Sequence, residues 1–131
     1  MQQNLPFELA VQAIVLKHPE FAPAAYAFVH DALMATTQQL CQDGRVRHLS
    51  ADELYFGACM HAIKTYGPLA DVVLSEWGVM ESKDIGSLVY YLIEAGVFGK
   101  QKDDAREQFD DLPCLQDLLN RPFSLLDDTL Q

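Results

Sequence analysis

Proline and glycine cut this sequence into segments whose apolar residues recur at three and four, and that punctuation restricts the fold more than any other feature. The first segment opens after Pro6, a residue suited to an initial helical turn, and places Phe7, Val11, Ile14 and His18 on one face before Pro19 stops it. A second starts near Pro23, carries Tyr26, Val29, Leu33 and Leu40 at helical spacing, and ends at "QDGR", where Gly44 supplies a left-handed stop. "SADE" announces the third: Ser50 caps the free backbone N–H groups while Glu53, three residues on, reaches back to the cap.

From Leu54 to Tyr66 the third segment is apolar on nearly every face, with Gly57 and Ala58 small enough for a second helix to approach closely, as expected of a central buried helix. Gly67-Pro68 ends it and starts a fourth, "PLADVVLSEW". After Trp77-Gly78, Ser82 is the expected cap of a fifth, in which Ile85, Leu88, Val89 and Leu92 form the inward stripe before Gly96 closes it. Beyond Gly96, "VFGK", "QKDDA" and "REQF" suit a short hairpin, and "CLQDLLNRPF" a last small helix.

These signals predict one mostly α domain over residues 1–131, five to six helices with a less regular acidic segment from about residue 103, and a winged-helix-like second half if the hairpin forms. At 131 residues the chain can close a core without disulfides or metal. Cys41, Cys59 and Cys114 are odd in number and irregular in spacing, so they fit neither a disulfide framework nor a zinc site. The amino terminus has no positive leader and no run approaches a membrane span, from which a cytoplasmic location is expected.

The net charge is −10, and from Asp103 onward eight acids face only Arg106 and Arg121. Such a field disfavours a nucleic-acid partner unless a local basic patch overrides it. "EAGVFGKQKDD", residues 94–104, has the look of a phosphate loop but lacks its parts: Glu94 stands where the first glycine belongs, Gln101 where the magnesium-holding hydroxyl belongs, and a helix precedes it. As a wing it fits the order of a winged helix-turn-helix, with Lys100, Lys102 and Arg106 near phosphates. The fifth helix, in the reading position, offers Lys83 amid Asp84, Ser87, Tyr90, Tyr91 and Glu94, a poor set for base edges.

"GRVRHLS" brings Arg45, Arg47 and His48 beside a helix start, a pattern able to hold an anion or a partner's carboxylate, although ion pairing with the chain's own acids is the plainer role. His18, His30, His48 and His61 show no ligand spacing, and Cys59 and His61 lie about 200° apart around a helix, so no metal or cofactor is expected. Ser75 and Ser87 lack the glycine elbow of a catalytic serine. Of the adjacent Tyr90 and Tyr91, one must reach the surface, where tyrosine is a favoured interface anchor.

In "RHLSADEL" (47–54), "YGPLADVVLSEWGV" (66–79) and "DIGSLVYYLIEAGVFGKQKDD" (84–104), the chain resembles a family of small bacterial proteins of planctomycete and verrucomicrobial type, from about Phe7 to Phe123. The resemblance implies a bacterial cytoplasmic protein and carries no activity, cofactor or catalytic residue. The expected function is non-enzymatic: an interaction or regulatory protein that binds another protein, with Arg47, Trp77 and Tyr90 or Tyr91 among the contacts and a homodimer left open. The alternatives are a DNA-binding transcription regulator using Lys83, Lys100 or Arg106, and an enzyme or small-molecule binder with a pocket among the helices.

Overall fold

A computed structural model describes residues 6–40, 49–97 and 106–130. Among them the chain is helical: α1 (Phe7–Lys17), α2 (Pro23–Leu40), α3 (Ala51–Tyr66), α4 (Ala70–Glu76), α5 (Ser82–Glu94) and α6 (Leu115–Leu130), with short 3-10 turns at Gly67–Leu69 and Arg106–Phe109. No described helix is long and apolar enough to cross a membrane.

Local chemistry accounts for most boundaries. Ser50 Oγ accepts from the Glu53 N–H (3.2 Å) and Glu53 Oε1 accepts from the Ser50 N–H (2.9 Å), so the expected capping box is present. Gly96, at φ 82°, follows α5 in the left-handed region that a side chain resists. Gly78, at φ 92°, closes the end of α4, and a Cβ there would stand 2.5 Å from the Glu20 carbonyl. Beside it the Ala22 N–H donates to the Trp77 carbonyl (3.1 Å), fastening the α1–α2 connection to the end of α4.

α3 is the hub and packs on α2, α4, α5 and α6. Tyr26, Val29, Tyr55, Leu74, Ile85, Leu88, Leu92, Leu115 and Leu119 are sealed from water and unite five helices in one core. Removing side chains of this size from water is the main favourable term in folding, roughly 1.5–3 kcal/mol for each large aliphatic residue. The inward stripe of α5 expected from spacing, Ile85, Leu88, Val89 and Leu92, is buried as a set.

Four expectations are corrected. Ser82 does not cap α5: Glu81 holds the cap position, and the Asp84 carboxylate reaches back to accept from the backbone N–H groups of Met80 (2.9 Å) and Glu81 (3.0 Å). The Ser82 hydroxyl is turned inward and donates to the Phe109 carbonyl (2.6 Å). The second arm of the expected hairpin, "REQF", is a 3-10 turn, and there is no strand among the described residues; residues 98–105 lie outside them. Its cause is Phe109, which lies against Gly86 so closely that a Cβ there would meet the ring at 2.7 Å, folding the turn across α5. The last small helix expected at "CLQDLLNRPF" is instead the sixteen-residue α6, which runs past Pro122 and forgoes the hydrogen bond that proline cannot donate.

The fourth correction concerns α3. It is central, as its composition predicts, yet one face is open: Phe56 and Met60 are 39% and 64% exposed.

Candidate functional site

That open face forms one wall of a groove. α2 and α3 touch where Gly57 meets Thr36, so closely that a Cβ on Gly57 would fall 2.1 Å from Thr36 Oγ1. The Thr36 hydroxyl donates to the Ala32 carbonyl (2.7 Å), which satisfies its polarity inside its own helix. Above this floor the helices diverge around a cavity of about 780 Å³. Leu40 of α2, 41% exposed, lines it together with Phe56 and Met60 of α3.

The chemistry of the groove is graded along α3. Asp52 and Glu53 stand at its amino-terminal end, Phe56 and Met60 in the middle, and Lys64 at the far end with His61 beside it. These positions follow the three-and-four spacing that puts side chains on one helical face. Lys64 is exposed and makes no ion pair among the described residues, while Glu53 is engaged in the capping box. The His61 ring leans on Phe28 (centroids 5.7 Å apart), and Phe28 in turn meets Trp77 at 5.9 Å. An apolar centre with opposite charges at its two ends can bury a complementary apolar segment and fix its direction.

A second, buried cluster links α1, α2 and α5. His18 stacks on Tyr91 (3.8 Å, 6° between planes), and the Tyr91 hydroxyl donates to Glu20 Oε2 (2.8 Å). The Tyr26 hydroxyl and His18 Nε2 are buried with no hydrogen-bond partner among the described residues. Burial, then the charges of Glu20 and Tyr91, raise the Tyr26 pKa above the tyrosine norm. On the opposite side of the core the Tyr55 hydroxyl donates to the Pro113 carbonyl (2.5 Å), and burial raises its pKa too. Burial also pushes the thiol of Cys59 up to about 12, against a slight lowering by its hydrogen bond to Tyr55. Both clusters bind helices to one another within the core.

The residues singled out from sequence fall apart in space or out of view. Arg45, Arg47, His48 and Lys100 lie outside the described residues, as does the side chain of Arg106. Trp77 is half-buried against Phe28 and Tyr66 (5.8 Å), Tyr91 is buried, and Tyr90 is the exposed member of the tyrosine pair at 40%. On α5, Lys83 Nζ lies 3.8 Å from Glu81 Oε1, so this cation has an acid of its own chain beside it. Among the described residues no group of three or more potential metal ligands converges.

Sequence reasoning missed the groove because it read the third helix, apolar on nearly every face, as buried all round. The available signal was the excess of apolar residues around α3: a helix can bury only as many faces as it has neighbours. Comparison with protein-family models, with curated proteins and with solved structures returned no match.

Proposed function

We propose that this chain is a cytoplasmic, non-enzymatic interaction protein that binds another protein through the groove between α2 and α3. The observation that supports it is the set of three large apolar side chains, Leu40, Phe56 and Met60, held open to solvent around one cavity rather than scattered. Contiguous exposed apolar surface rimmed by charge marks an interaction site on a folded domain. The bacterial origin implied by the family resemblance, and the regulatory role expected from the charge balance and the lack of a catalytic motif, belong to the same proposal. A net charge of −10 favours a protein partner over a phosphate backbone.

A photocrosslinking amino acid at position 60 tests this in the native cell, with position 16 as the control. Leu16 is apolar and 88% exposed but lies on α1, outside the groove. The expected result is a discrete adduct from position 60, missing from position 16 and lost when Phe56→Asp is added. Equal adducts from both positions, or none from position 60, would refute the reading.

A further inference from the structure

From the gradient along this groove we infer that its occupant is an amphipathic α-helix of the partner, lying antiparallel to α3 with acidic residues in its first turn and basic residues in its last. The inference rests on the interaction reading above and adds the partner's chemistry.

The groove is lined by one run of each helix, residues 35–40 of α2 and 52–64 of α3. Asp52 and Lys64 are about 18 Å apart along α3, the length of roughly twelve helical residues. Phe56 and Met60 are one turn apart on one wall and Leu40 stands on the other. Apolar side chains at i, i+3 or i+4 and i+7 of a helix form a stripe of matching width. An extended segment would send alternate side chains to opposite faces and leave half of them in water. Methionine adapts its shape to such a stripe at little cost, and Met60 is the most exposed of the three apolar residues.

Direction follows from charge. The ammonium of Lys64, in no ion pair among the described residues, attracts carboxylates to one end of the groove, and Asp52 attracts cations to the other. Free helices favour acids in the first turn and bases in the last, because the backbone dipole leaves partial positive charge at the start and negative at the end. An acid-first helix meets both conditions only with its start at Lys64 and its end at Asp52, which is the antiparallel orientation.

Three fluorescently labelled peptides of about fourteen residues, long enough to span the groove, test this by anisotropy at low salt. The first has a leucine stripe, glutamates in its first turn and lysines in its last. The second exchanges these charges, and the third is the first with two central prolines. Wild-type protein is expected to bind the first about five-fold more tightly than the second, the sum of small end-charge effects. It should bind the proline peptide weakest of all. Lys64→Glu should erase or invert the preference between the first two, and the double variant Phe56→Asp, Met60→Asp, made at two exposed positions, should abolish binding.

Equal binding of the first two peptides overturns the orientation, and equal binding of the proline peptide overturns the helix. Binding of none, with the position 60 crosslink intact, overturns the helical occupant and leaves the groove as an interface. Loss of the crosslink as well removes the interaction reading itself. Sedimentation covers the remaining occupant: a dimer that Phe56→Asp, Met60→Asp converts to monomer would put a second copy in the groove and overturn a foreign helix.

Discussion

Gly57→Ala tests the contact on which the groove is built. Replacing a helical glycine by alanine ordinarily stabilises by about 1 kcal/mol through backbone entropy. Here the new Cβ would lie 2.1 Å from Thr36 Oγ1, 2.8 Å from its Cγ2 and 3.0 Å from its Cβ. Rotation of the threonine offers no escape. Two of its three branch positions are the close ones, and a β-branched side chain always fills at least one of them. α2 and α3 must therefore separate, and overpacking of this kind costs about 1–3 kcal/mol. The net expectation is a loss of up to about 2 kcal/mol, a fall in melting temperature of up to about 8 °C for a domain of this size. Circular-dichroism melts and urea titration measure it, with Thr36→Ala and the double variant completing the cycle. In the Thr36→Ala background the same alanine should cost at least about 1 kcal/mol less. A rise in melting temperature on Gly57→Ala alone, or strict additivity in the cycle, would refute the close-contact reasoning.

Tyr26→Phe and Tyr55→Phe should have opposite signs in urea titrations although both rings are sealed in the core. The first removes a buried hydroxyl that has no partner among the described residues and should stabilise by about 1 kcal/mol, while the second orphans the Pro113 carbonyl and should cost about 1–2 kcal/mol. In alkali the folded state holds the Cys59 proton up to about pH 12 whereas the unfolded chain releases it near 9.0. The contribution is intact well below pH 9 and is lost as pH rises through it, so stability should fall by about 1 kcal/mol between pH 9 and 10. Cys59→Ala should remove that slope. Ser82→Ala should cost about 1 kcal/mol and speed amide exchange at residues 106–109, since it frees the Phe109 carbonyl that anchors the turn to α5.

The parts of this fold that could be read from sequence are those decided within one helical turn. The Ser50–Glu53 box and the left-handed Gly96 are local events, and both stand where the residues place them. The small residue at 57 also announces a close helix contact, though not that Thr36 supplies it. Errors arise where two residues compete for one local job or where a distant group intervenes. Glu81 and Ser82 are neighbours at the start of α5, and the cap falls to Glu81, closed by the Asp84 carboxylate, while the serine has a remote acceptor in Phe109. "REQF" has no strong strand or helix signal, and its shape follows from Phe109 finding Gly86. The groove was the least legible feature. Whether Phe56 and Met60 are covered depends on how many helices surround α3, a property of the assembled core.

The chain contains one tryptophan, and its position makes the protein its own optical reporter. Trp77 touches Phe28, Phe28 touches His61, and His61 borders the groove. A ligand that displaces the His61 ring perturbs the packing around the single indole two contacts away. Its emission, which shifts as the indole passes between an apolar setting and water, needs no attached dye, so occupancy, melting and alkaline loss of structure can be followed on unmodified protein.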